Sequence, residues 1–118
     1  MLEFHVKTVL LVITSDPRTS RRPAEAIRIA AGVGVWKKVD ITVYLREAAV
    51  LILNESTDDL LDEENFPRYL PMMGDFGRPI YVQRGAPLLA RQSVFQIEEI
   101  DDGQLARIAA SRNCVVRF

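Results

Sequence analysis

Lys7–Gly34, KTVLLVITSDPRTSRRPAEAIRIAAGVG, decides how the chain is read. Thr8-Val9-Leu10-Leu11-Val12-Ile13 is an unbroken apolar run rich in β-branched residues. It does not alternate, so it predicts a strand covered on both faces, spanning Val6 to Thr14. A polar loop follows, Thr14-Ser15-Asp16-Pro17-Arg18-Thr19-Ser20, in which Asp16-Pro17 is a turn signal. Pro23 then suits the first turn of a helix, where a missing N–H costs nothing. Ala24, Ile27 and Ala31 recur at helical spacing, with Arg21, Glu25 and Arg28 on the other side and Glu25–Arg28 as an i, i+3 pair. Gly32 and Gly34 loosen and end the helix. Strand, loop, helix is the first half of a βαβ unit, and ligands of parallel sheets gather at strand tips.

Around this unit the remaining elements follow in order. Ile41, Val43 and Leu45 alternate with Thr42 and Tyr44, a strand over Asp40–Leu45. Ala48–Leu53 is a short apolar run, read as a helix turning back over the sheet. Six acids fall within Glu55–Glu64; they lack calcium-loop spacing and read as a solvated face with a short helix starting near Asp58. Asn65 and Pro67 start another helix with Phe66, Tyr69, Leu70 and Met73 inward, and Pro71 is expected to break or kink it. Arg78–Gln83 reads as a strand and Leu88–Arg91 as a helical turn. Ser93–Ile100 is strand-like, and Asp101 with Gln104 forms a capping box for a helix burying Leu105, Ile108 and Ala109. Asn113 suits a left-handed closing position. Cys114–Phe118 is a last strand.

The pattern predicts one α/β domain over residues 1–118. It is a small flavodoxin-like three-layer sandwich, with about five mostly parallel strands and helices on both faces.

The composition is that of an ordinary globular domain, 48% hydrophobic and 26% charged, with 15 basic and 16 acidic residues and a net charge of -1. No field for nucleic acid or anionic lipid follows. No run approaches the roughly 20 apolar residues of a membrane helix, and Met1–His5 does not resemble a signal peptide. A cytoplasmic location is expected. One cysteine, Cys114, excludes an intrachain disulfide framework.

Several features together resemble the DsrE/DsrF-like family of small sulfur-relay proteins. They are the Thr14–Pro17 loop, the helix Ala24-Glu25-Ala26-Ile27-Arg28-Ile29-Ala30, the apolar turn Glu47-Ala48-Ala49-Val50 after strand two, and the late strand Ile80-Tyr81-Val82 with Ala90-Arg91 beyond it. The chain length and the closing strand to Phe118 fit as well. The likeness covers nearly the whole chain. It implies a sheet of about five strands, assembly as a homotrimer or homohexamer, and sulfur-relay protein partners. In sulfur-carrying members, a cysteine in the loop after that late strand holds a persulfide. The matching stretch here, Gln83-Arg84-Gly85-Ala86, has none, and a persulfide relay needs a thiolate. The resemblance therefore implies a non-carrier subunit.

Three functional readings stay open. The first is a non-catalytic DsrE-like domain acting as an oligomeric subunit or binding partner. The second is a small-molecule or anion-binding enzyme or sensor, with a strand-tip pocket between Thr14, Ser15 and Arg18 on one side and Gln83, Arg84 and Gly85 on the other. Four hydroxyls and a helix N-terminus favour an anion there. The third is a sulfur carrier using Cys114, which sits beside Val115 and Val116 and reads as a small buried hydrophobe. No nucleophile–base pair assembles around His5, the only histidine. No metal site or cofactor is expected, FMN included, because the phosphate-loop glycine patterns are absent. Trp36 and Met72-Met73 read as packing residues.

Overall fold

The computed structural model describes residues 7–35, 38–54, 56–74, 78–89 and 95–118. The expectations placed on His5, Trp36 and Ala90-Arg91 lie outside them. Five strands form one sheet: β1 (Lys7–Ile13), β2 (Val39–Leu45), β3 (Ile80–Gln83), β4 (Ile97–Ile100) and β5 (Cys114–Arg117). Their spatial order is β4-β3-β2-β1-β5, and every neighbouring pair is parallel. The helices are α1 (Arg22–Gly34), α2 (Asn65–Gly74) and α3 (Asp102–Ser111), with a 3₁₀ helix over Glu47–Leu53 where the apolar run predicts a turn of helix. The flavodoxin-like α/β class read from the sequence is the class observed.

Burial follows the apolar pattern closely in the first half of the chain. Leu10, Leu11, Val12 and Ile13 are all buried, as a strand covered on both faces requires. Ala24, Ala26, Ile27, Ala30 and Ala31 are sealed against the sheet, and their small side chains let α1 approach it closely. Phe66, Leu70 and Met73 of α2 join the same cluster, together with Ala49, Val50, Ile52 and Leu53 of the 3₁₀ helix.

The two faces of the sheet are unequally covered. Side chains alternate along a strand, so Leu11, Ile13, Ile41, Val43, Leu45, Ile80 and Val82 face α1, α2 and the 3₁₀ helix. Leu10, Val12, Tyr44 and Ile100 face the other way, where Leu105, Ile108 and Ala109 of α3 pack on them. The helix α3 carries the chain from one edge strand to the other. Five strands put those edges about 19 Å apart, and ten helical residues span about 15 Å. Among the described residues one short helix is thus the only regular cover on that face, and no residue of α3 is fully buried.

Several local expectations are corrected. Pro71 does not end its helix. It lies inside α2, which runs on to Gly74; Pro71 is exposed while Leu70 and Met73 are buried, so tertiary packing holds the helix past the missing N–H. No helix starts near Asp58; residues 58–64 are turns. The stripe Leu105, Ile108, Ala109 is only half-buried, for the geometric reason just given. Asn113 does not take a left-handed conformation. Its side-chain oxygen accepts from Thr8 N and Thr8 Oγ1, at 2.9 and 3.1 Å, and its N–H donates to Thr8 Oγ1 at 3.0 Å, which ties the start of β5 to β1. Among the described residues the left-handed ones are Glu47, Asp62 and Gly85. Cys114 is exposed rather than buried, because β5 is an edge strand.

Candidate functional site

All strands being parallel, their C-terminal ends meet along one edge, and the loops that follow line it. After β1 the chain makes a tight turn. Asp16 Oδ1 accepts from Arg18 N at 2.9 Å and from Arg18 Nε at 3.0 Å, and Arg18 Nη2 reaches Asp16 Oδ2 at 2.8 Å. This pairing with Arg18 holds the Asp16 carboxyl below the usual carboxylate range and raises the Arg18 guanidinium. Thr14 N and Ser15 N donate to Phe118 O, at 3.0 and 3.3 Å. Pro17 is buried, and its carbonyl accepts from Leu61 N at 2.9 Å. The loop is thereby fastened toward β5.

After β2, Arg46 N donates to Ile13 O at 3.0 Å, and Arg46 Nη1 bridges the buried Tyr44 hydroxyl and Asp102 Oδ1, at 3.1 and 2.7 Å. Asp102 and Tyr44 raise the Arg46 guanidinium, and Arg46 in turn lowers the Asp102 carboxyl. Glu47, at φ 54°, donates its N–H to Gln83 Oε1 at 2.9 Å, so the strand-tip glutamine is held by the turn beside it.

After β3, Arg84 turns the other way. Its N–H donates to Ile100 O at 3.0 Å, and its guanidinium reaches Gln104 Oε1 at 3.2 Å and Asp101 Oδ2 at 3.5 Å. Gly85 takes φ 75°, the left-handed region where glycine carries no Cβ penalty, and its N–H donates to Glu99 Oε1 at 3.3 Å. The capping box at the start of α3 is formed as read from the sequence: Gln104 N donates to Asp101 Oδ1 at 2.7 Å and Asp101 N to Gln104 Oε1 at 2.9 Å.

Thr14, Ser15, Arg18, Gln83, Arg84 and Gly85 thus all stand along one edge, in two groups. Arg18 is engaged by its own loop at the tip of β1, and Arg84 by α3 at the tip of β3. The tip of β2, with Arg46 and Glu47, stands between them. Arg46, Tyr44 and Asp102 are a part of this edge that the sequence reading missed. Fifty-six positions separate Arg46 from Asp102, and only the packing of α3 joins them. Cys114, the first residue of β5, lies at the opposite, N-terminal edge. Among the described residues no group of three or more His, Cys, Asp or Glu side chains could hold a metal ion, and no helix is long and apolar enough to cross a membrane.

This architecture is a small, all-parallel α/β fold of the flavodoxin-like class. A solved structure with which it aligns is that of the ychN protein from E. coli, at a TM-score of 0.75 and 16% sequence identity, covering 95% of this chain and 99% of that one. No family model matches the chain, and no curated protein matches it in sequence.

Proposed function

We propose that the protein is a non-catalytic DsrE-like domain, a cytoplasmic homo-oligomeric subunit that serves a sulfur-relay type system as a building or docking element. The observation that carries this is the half-covered face of the sheet. Not one of the ten residues of α3 is buried. Beside it, Val115 on β5 is 43% exposed, and by register with Leu10 it points to the α3 side. A second copy covering Leu105, Ile108 and Val115 completes a layer that one ten-residue helix leaves open. The strand-tip side chains support the same reading: Arg18, Arg46 and Arg84 are each engaged by the chain's own acceptors.

The test is a native mass spectrum with light scattering at tens of micromolar. A trimer or hexamer is expected, and Val115→Lys should shift it toward monomer without unfolding, since the side chain is already half in water. A monodisperse wild-type monomer overturns the proposal.

The sulfur-carrier alternative has one specific observation in its favour, the exposure of Cys114. It predicts an added mass of one sulfur on the denatured chain, abolished by Cys114→Ser; a chain carrying no such mass after exposure to a persulfide donor sinks it.

A further inference from the structure

At the N-terminal edge of the sheet, on the face that α3 covers only in part, two arginines converge on one threonine. Thr42 is fully buried. Its Oγ1 accepts from Arg78 Nη1 at 3.0 Å and from Arg112 Nη2 at 3.1 Å. Arg78 comes from the segment before β3 and Arg112 from the C-terminal cap of α3, so the chain brings them together from 34 positions apart. Their nearest nitrogens are no more than about 6 Å from each other across a shared neutral oxygen, an arrangement of like charges that Coulomb repulsion disfavours unless an anion offsets it.

The acceptors present do not match these donors. Among the described residues Asp40 is the one carboxylate in the cluster, and it bonds Arg78, at 2.7 Å. Arg112 has no carboxylate partner among the described residues; its other bond goes to Ser111 Oγ at 2.9 Å. Its Nε is buried with no hydrogen-bond partner among the described residues. The Thr42 hydroxyl spends its oxygen on both guanidiniums, and its own proton meets no acceptor among the described residues. Among the described residues two cations thus stand against one anion, with two buried donors left over, and buried donors ordinarily have partners.

We infer that Arg78 and Arg112, with Thr42 between them, form a receptor for a small oxyanion, a phosphate, sulfate or carboxylate group. Such a group bridges two guanidiniums by charge-assisted bonds and relieves their mutual repulsion. It would neutralise the charge that Asp40 leaves over. The site is separate from the strand-tip loops, at the opposite end of the strands, and does not depend on the oligomer.

The experiment uses the full chain in chloride buffer of fixed ionic strength. Inorganic phosphate and, in a second arm, acetate are titrated while Tm and the heat of binding are followed. A saturable Tm rise with matching heat is expected, the form that mass action gives to one site. Saturation by phosphate alone assigns a tetrahedral anion; saturation by acetate assigns a carboxylate. Arg112→Gln and Arg78→Gln should each weaken binding by at least about tenfold, with the fold checked by circular dichroism. Arg112→Lys, which keeps the charge but not the forked donors, covers the case in which a glutamine variant does not fold, and should also bind more weakly. Absence of saturation in both arms, stabilisation that rises equally in every variant as excluded salts produce, or undiminished binding in these variants overturns the inference.

Discussion

Replacing Asp101 by alanine should loosen α3 and little else. A ten-residue helix is not stable in isolation, and this one buries no residue completely. Its persistence rests on a half-buried stripe and on its cap. Asp101 Oδ1 accepts from Gln104 N at 2.7 Å, and Gln104 Oε1 returns a bond to Asp101 N at 2.9 Å. Alanine removes the side-chain acceptor and leaves Gln104 N without it, which costs about 1 kcal/mol for an N-cap aspartate. If α3 opens separately from the sheet, that cost raises its opening equilibrium about fivefold. Native-state hydrogen exchange should then show the amides of Leu105–Ser111 exchanging about fivefold faster, with β1 and β2 unchanged. Asp102→Ala provides the control: it breaks the bond to Arg46 but leaves the box intact, its side chain is 77% exposed, and its effect on these amides should be the smaller one. Equal acceleration in β1 and α3 would show one cooperative unit and refute the argument. So would unchanged exchange in α3.

Other consequences concern core, turn, helix and charge. Phe66→Ala removes a side chain that is 1% exposed and should cost about 3–5 kcal/mol in denaturant unfolding; a loss below 1 kcal/mol would mean that α2 is not part of the core. Gly85→Ala meets no atom within 4 Å but must hold φ 75°, so strain alone should cost about 1–2 kcal/mol; a neutral substitution would show that the turn relaxes. Pro71→Ala supplies the N–H that α2 lacks and should raise the midpoint. The gain is bounded by about 3 kcal/mol of propensity and reduced by about 0.4–1 kcal/mol because the unfolded chain gains freedom; a lowered midpoint would show that the ring itself packs. Asp16, Glu25 and Asp102 have carboxyls lowered by Arg18, Arg28 and Arg46 respectively. Their contribution is complete above the unfolded carboxylate range, near pH 4, and disappears as pH falls through the lowered native values. An acid limb that stays unchanged in Asp16→Asn would refute it for that pair.

The sequence was most legible where local pattern and tertiary burial agree. The run Thr8–Ile13 could only be a doubly covered strand, and the Asp101–Gln104 spacing wrote its own cap. It misled where local chemistry is strong but packing decides. Pro71 is a helix breaker by every local rule, yet Leu70 and Met73 beside it are buried and α2 continues. Leu105, Ile108 and Ala109 have the spacing of a buried stripe, but spacing cannot say that among the described residues only one helix covers that face. Cys114 sits among valines and reads as buried; only the strand order shows it on an edge. The Arg46–Asp102 and Arg78–Thr42–Arg112 contacts join segments 30 or more positions apart, and such pairs leave no periodic trace. Arg84 and Gly85 stand in the strand-tip loop that the sequence predicts after Gln83, but that these three lean on Glu47, Asp101, Gln104 and Glu99 depends on which strands are neighbours.

The edges of the sheet are as unequal as its faces. On β4, Glu98 and Glu99 are exposed at adjacent positions, so the strand presents charge to both sides, a common device against unwanted pairing. On β5, Cys114 and Val115 are exposed, and Arg117 is the only charge. That unguarded edge adjoins the half-covered face, with Val115 common to both. The exposed large hydrophobics among the described residues are Val35, Leu88 and Val115; of these, Val115 lies where the β5 edge meets the face that α3 covers, so it is the one that the proposed second copy would cover. Under the assembly proposed above, α3 is completed by a neighbouring subunit and does not have to be sealed by its own chain, so its amides should gain protection from exchange as protein concentration rises.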